Sequence, residues 1–198
     1  MTAFTTTLPM ADMLSLLQHR HSVPARQLGE PAPDAATLRA LLQAAIRVPD
    51  HGKQVPFRLI QLQGAAKQAF GERLLQRAIE RDPALPEARR VKERGRYAHA
   101  PLVIVVVARI EAEGKVPVIE QKLSAGCVAY NLLLGSYALG YGANWLTGWA
   151  AYDPEVAALL GLAATEQVIG FVHIGTPQIA VPDRVRPQLD ELLRVWTP

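Results

Sequence analysis

The sequence predicts a three-layer α+β domain built around one mostly buried sheet. Three observations carry this. Helical periodicity dominates the chain up to Pro49, and only then do strands alternate with helices. The run Pro101-Leu102-Val103-Ile104-Val105-Val106-Val107-Ala108 is β-branched and continuously apolar, a pattern that calls for burial on both faces. No repeat, low-complexity tract or long linker divides the 198 residues, a length that suits one domain. Residues 1–198 therefore read as a single domain, with 1–10 as an N-terminal tail and 179–198 as a C-terminal arm.

The elements follow in order. Ala11 to Arg20 forms a first helix with Met13, Leu14, Leu16 and Leu17 on its apolar face. Pro24 and Pro31 bound an extended linker. Asp34 is the N-cap of a helix carrying Leu38, Leu41, Leu42, Ala45 and Ile46, and Pro49 stops it. Pro56 to Gln63 is a strand, and Ala65 to Glu80 an amphipathic helix with Phe70, Leu74, Leu75 and Ile79. A break at Asp82 to Pro86 precedes a short helix to Arg96. The central strand is followed by a long helix within Val116 to Leu139, then a strand from Ala143 to Trp149. Asp153-Pro154-Glu155 starts a helix, because an aspartate cap, a proline at the first position and an acid near the positive dipole end all favour that turn. Gln167 to Ile174 is the last strand, and Asp190 to Val195 a terminal helix or arm.

Composition narrows the function. The net charge of +3 suits a small anionic ligand but is too weak for a nucleic-acid surface. The densest basic stretch, Arg89 to Arg96, is interrupted by Glu93 and reads as a solvated helix face. The single cysteine, Cys127, forbids an intrachain disulfide or a multi-cysteine metal site. It fits a reducing cytoplasm. The segment Leu123 to Tyr152 lacks charge, yet Gly140-Tyr141-Gly142 breaks it into a buried helix and a buried strand rather than a membrane span. Met1 to Pro9 lacks the features of a signal peptide. Phosphate-binding loops of the Gly-x-x-x-x-Gly-Lys type, Rossmann Gly-x-Gly-x-x-Gly turns, nucleophile elbows and metal-spaced histidines are all missing.

Three segments stand out. His19-Arg20-His21-Ser22 gathers cations and a hydroxyl at a helix end, as an anion site or as a solvated terminus. Arg47-Val48-Pro49-Asp50-His51-Gly52-Lys53 is a proline- and glycine-fixed loop with two cations and an imidazole, functional or a structural turn. Gly140 to Gly148 allows the backbone close to a flat ligand, or packs as core strand.

In this order, Arg20-His21-Ser22, Arg47-Val48-Pro49-Asp50-His51, Ser124-Ala125-Gly126-Cys127, Gly140-Tyr141-Gly142-Ala143-Asn144-Trp145 and Gly170 to Gln178 resemble the nitroreductase family, and within it the short single-domain NAD(P)H nitroreductases of the YdjA type. The resemblance runs from about Met13 to Gln178. It implies a mostly antiparallel sheet flanked by helices, a homodimer built on the long helices, and FMN at the subunit interface. By the same resemblance, Arg20, His21 and Ser22 hold the flavin from one subunit, while Arg47 and His51 reach the flavin of the other. Trp145, Leu146 and Thr147 match the strand along the isoalloxazine, and Gly135, Ser136, Tyr137, Ala138, Leu139 and Gly140 match an NAD(P)H segment. The chain departs from the family at several places. His21 replaces the second arginine of Arg-Arg-Ser, and Leu146-Thr147 replaces Arg-Ser. Lys53 and Val55-Pro56-Phe57 stand for Asn and Gln-Pro-Trp, and Arg184 or Arg186 stands for a C-terminal phosphate contact.

The implied activity is ping-pong transfer of hydride from NAD(P)H through FMN to a nitroaromatic, quinone or similar small acceptor, with no metal and no catalytic side chain. Two other readings are a flavin enzyme for a specific dehalogenation or dehydrogenation, and a non-enzymatic flavin-binding dimer. Neither nucleic acid nor membrane is a partner in any of them.

Overall fold

A computed structural model describes residues 10–198; the predicted N-terminal tail lies almost entirely outside them. The described chain runs α1 (Met10–His19), β1 (Leu28–Gly29), α2 (Ala35–Ala45), β2 (Phe57–Gln63), α3 (Gly64–Arg81), α4 (Glu87–Gly95), β3 (Leu102–Arg109), α5 (Val118–Ala138), β4 (Gly142–Leu146), α6 (Pro154–Leu159), β5 (Glu166–Pro177) and α7 (Leu189–Leu192). The predicted caps form. Asp34 accepts from Thr37 N at 2.7 Å, and Asp153 accepts from Glu155 N and Val156 N ahead of Pro154.

The strands make one antiparallel sheet in the order β1-β5-β3-β2, with β4 also paired to β5. β3 is the central strand, and Leu102 to Ala108 are fully buried. Its alternation sorts the core into two layers. Leu102, Ile104, Val106 and Ala108 face α2 and α5. Val103, Val105 and Val107 face Phe70 and Leu74 of α3, with Tyr97 and Val156. The three-layer prediction is therefore met.

Some boundaries differ from the sequence reading. The linker between Pro24 and Pro31 holds a 3-10 turn, Ala25–Gln27, and the two-residue β1, because Gly29 and Leu28 add to the far end of β5. β4 stops at Leu146 rather than Trp149, where its register with β5 ends at Phe171, and Trp149–Ala151 winds into a 3-10 turn. The stretch at Arg89 to Arg96 is not simply a solvated face. Glu93 is buried, pairs with Arg96 at 2.6 and 2.9 Å, and accepts from Trp149 Nε1 at 3.0 Å. The pairing of Glu93 with both a guanidinium and an indole lowers its carboxyl pKa despite burial. Among the described residues, no helix is long and apolar enough to cross a membrane.

β5 carries one costly residue. His173 is fully buried, stacks on Tyr97 with ring centres 5.5 Å apart, and neither ring nitrogen has a hydrogen-bond partner among the described residues. Burial, reinforced by the charges of Lys67 on α3 and of His99 and Arg96 after α4, pushes the imidazole down to about 4. The folded state thus refuses a proton that the unfolded chain takes up below its ordinary value near 6.5. Stability is lost as pH falls between those values, on the order of 3 kcal/mol in all. Urea unfolding at a series of pH values tests this. His173→Phe should lose distinctly less stability over that interval, and an equal loss would contradict the assignment.

Candidate functional site

The loop after α2 is tied down on two sides. From within, Asp50 accepts from Gln54 N at 3.0 Å and Val55 N at 2.8 Å, while its carbonyl accepts from Lys53 N. This tight turn forces left-handed backbone at Gly52, and also at Lys53 (φ 55°) and Val55 (φ 50°). A β-branched residue at positive φ is strained, and such strain persists only where surrounding bonds over-determine it. From α5, Ser124 Oγ donates to Pro49 O at 2.8 Å and Asn131 Nδ2 donates to Ala45 O at 3.2 Å. Farther toward its N-terminus, Glu120 holds His51 Nδ1 at 2.7 Å. Arg47, His51 and Lys53 are thereby displayed, exposed, on a pinned backbone.

A second group forms where α1 ends. Arg20 Nη1 is buried without a hydrogen-bond partner among the described residues. Arg186 of the C-terminal arm reaches the carbonyl of Arg20 at 3.4 Å and pairs with Asp183 at 2.5 Å, holding that carboxyl below its usual range. Of the two arm arginines named from the sequence, Arg186 is the one brought to Arg20. His21 packs edge-on against Tyr137, ring centres 6.0 Å apart. Beside them lies a cavity of about 290 Å³ lined by His21, Tyr137, Gly140, Tyr141, Pro177 and Ile179 among others. A buried guanidinium nitrogen without an acceptor, further cations and a ring-walled cavity suit a flat ligand with an anionic end.

The remaining predicted positions separate. Tyr137 and Gly140 line the cavity, but Ser136 is fully buried and Gly135 faces Leu41, so neither meets a ligand there. Ala138 and Leu139 are exposed, as is Ser22. Trp145 is a packing residue. Its indole donates to Ile169 O at 3.2 Å, a carbonyl at the β-bulge opposite Val106 and Val107. The ring lies so close over Gly170 that a Cβ there would sit 1.9 Å from Nε1. Leu146 is exposed and Thr147 half-buried at the end of β4. The Glu93–Arg96 pair braces the next turn, with Arg96 against Gly148 and Glu93 on Trp149.

The loop runs along α5, with the Arg47 carbonyl accepting from Asn131 Nδ2 at 3.4 Å, so it is the His51 end that lies far from His21. His51 is anchored at residue 120 of α5 and His21 at residue 137, roughly 25 Å along the helix axis. Sequence reasoning had named both groups but missed Glu120, which is 69 positions from His51 and has no local signal. It also missed the clamp role of Asp50, although an aspartate two residues before a glycine is a turn signal.

The nitroreductase family model matches residues 17–176, which include Arg20, His21, the loop from Arg47 to Lys53 and all of the sheet except Pro177. The chain belongs to the nitroreductase family. Its family relatives include the Putative NAD(P)H nitroreductase YdjA of Escherichia coli K12, 36% identical over 171 residues, which cover 85% of this chain and 90% of that one. A nitroreductase-like family protein of Bacillus cereus shares the fold with a TM-score of 0.78 over 98% of each chain, at 22% identity. A nitroreductase of Bacteroides fragilis solved with bound FMN superposes with a TM-score of 0.68 over 93% of this chain and 98% of that one, at 22% identity.

This nitroreductase-family loop yields one prediction. Asp50→Ala removes the acceptor for two backbone N–H groups and the clamp on a strained turn. It should lower stability by about 1–2 kcal/mol. Amide exchange at Gln54 and Val55 should rise. Urea unfolding and hydrogen exchange report both, and unchanged exchange would show that the carboxylate does not hold the turn.

Proposed function

We propose that the chain is an FMN-dependent oxidoreductase that accepts hydride from NAD(P)H and delivers it, in ping-pong order, to a small electron-poor acceptor such as a nitroaromatic or quinone. It works as a homodimer whose two flavin sites each draw on both subunits. One observation carries this: His51 and His21 sit at opposite ends of α5, roughly 25 Å apart along its axis, too far for one flavin nucleotide to touch both in one chain. A two-fold pairing across α5 brings the Arg20 end of one copy to the His51 end of the other. Apolar side chains exposed on the single chain support such a pairing, including Leu14 and Leu17 on α1, Ile119 and Leu123 on α5, and Leu192 and Trp196 in the arm. The FMN-bound Bacteroides relative supports the choice of cofactor.

FMN, when bound, supplies the hydride chemistry. The protein supplies position and charge. Arg20, with the nearby Arg186 and the hydroxyl of Ser22, holds the anionic end. The backbone from Trp145 to Thr147, set by the indole on Gly170 and braced by Glu93 and Arg96, gives a rigid edge for the ring. The partner's Arg47 and the partner's Lys53 place positive charge where the ring system gathers negative charge on reduction, which raises its potential. The cavity at Tyr137 and Gly140 takes part of the nicotinamide nucleotide.

The purified protein should be yellow or take up added FMN, sediment as a dimer, and oxidise NADH or NADPH when a nitroaromatic or quinone is supplied. A protein that takes up no FMN overturns the proposal, and one that binds FMN without reduction by either nucleotide is a binding module instead. Arg20→Ala should weaken FMN binding about tenfold or more, as expected for a charge-assisted hydrogen bond. Arg47→Ala should weaken it or lower the flavin potential. Co-expressing the two variants tests the shared site. A mixed dimer has one doubly defective site and one intact site, so tight FMN binding should return to half of its sites. No recovery would place both groups in a site built within one chain and overturn the shared-site arrangement.

A further inference from the structure

Glu120 Oε2 lies 2.7 Å from Nδ1 of His51. An ionised carboxylate offers only acceptor oxygens, so this contact requires the proton on Nδ1. The consequence falls on the other ring nitrogen. Which nitrogen of a neutral imidazole carries the proton is decided by the hydrogen bond the first one makes. With Nδ1–H committed to Glu120, Nε2 keeps its lone pair and can only accept. Nε2 makes no hydrogen bond to the described residues, and the His51 side chain is 64% exposed.

Glu120 is not what holds the loop. Ser124 fixes Pro49, Asn131 fixes Ala45, and Asp50 fixes Gln54 and Val55, all without the Glu120 carboxylate. A side-chain hydrogen bond with both partners this exposed adds little to folding. Removing it leaves the backbone in place and frees the imidazole to turn and to move its proton.

We propose that Glu120 is a positioning residue of the flavin site, fixing the His51 tautomer so that Nε2 accepts from an N–H or O–H group of the flavin nucleotide. The proposal rests on the flavin reading above and adds an orientation to it. A phosphate at neutral pH presents acceptor oxygens, which a lone pair on Nε2 repels. His51 therefore meets a hydrogen-bearing part of the ligand, a ribityl hydroxyl or the pyrimidine N–H. The phosphate belongs to the Arg20 end, where a buried guanidinium nitrogen without a partner among the described residues donates. The two ends of α5 thus carry complementary hydrogen-bond polarity as well as charge.

The test uses full-length protein with ¹⁵N-labelled histidine, with and without FMN, at alkaline pH, above the ordinary range of imidazoles. His51→Asn identifies the His51 resonances. Wild type should show the proton on Nδ1. Glu120→Ala should move it to Nε2 and raise the FMN dissociation constant about fivefold, the effect of one lost hydrogen bond. Glu120→Gln keeps an oxygen that accepts from Nδ1, so tautomer and affinity should both stay near wild type. Three results overturn the proposal: Nδ1–H retained in Glu120→Ala, a tautomer shift that leaves FMN affinity unchanged, or Glu120→Gln as damaging as Glu120→Ala. A wild type that takes up no FMN overturns the flavin reading and the ligand end of this proposal together. The spectra of the unloaded protein still decide whether Glu120 sets the tautomer.

Discussion

Everything in this chain is arranged around a strand that never meets water. Leu102 to Ala108 of β3 are buried on both faces, so every backbone group along it must be paired at an edge and every side chain covered by a layer. β2 and β5 take the edges, α2 with α5 takes one face, and α3 with Tyr97 takes the other. The pairing with β3 also lets β5 be long. Its far end runs past the centre of the sheet and organises β4 and β1 there. The polar cost of that arrangement is visible in His173, a ring packed on Tyr97 with neither nitrogen partnered among the described residues.

α5 converts this buried sheet into a site. Its inner stripe, Ala125, Val128, Ala129 and Leu132, is fully buried against β3 and β5. A polar stripe, Glu120, Ser124 and Asn131, is fastened to the loop that carries Arg47 and His51. Its last turn presents Tyr137 to His21. A helix anchored along one face by core packing is stiff, so it fixes the distance between the two cationic groups. In the proposed dimer that distance becomes the spacing of two shared sites. The exposed apolar residues of α1, α5 and the arm are then the surface that the second copy covers.

Local chemistry was readable wherever it is written locally. Proline caps, glycine breaks and an aspartate before Pro154 gave the elements, because each acts on its own turn. Both cationic segments stood out by composition alone. The side chains that aim them did not. Asp50 looked like one more loop residue, and its role appears only when its oxygens are found on Gln54 N and Val55 N. Glu93 looked like an interruption in a basic face, and it is the buried acceptor that ties Arg96 to Trp149. The family segment from Gly135 to Gly140 read as one ligand-binding stretch, yet helix geometry turns Ser136 inward and leaves Tyr137 and Gly140 at the cavity.

The sequence by itself determined the layers, because a β-branched run buried on both faces and helices with one apolar face admit few ways of packing. It also determined which segments carry charge, and through five ordered motifs it pointed to the nitroreductase family. Only the tertiary structure decided how those charges are held. It set Glu120 on His51 across 69 positions, brought Arg186 of the arm rather than Arg184 to Arg20, and placed His51 and His21 roughly 25 Å apart along α5. Contacts between distant positions follow from how the helix docks on the sheet, and that docking is a property of the packed whole that no local stretch of sequence records.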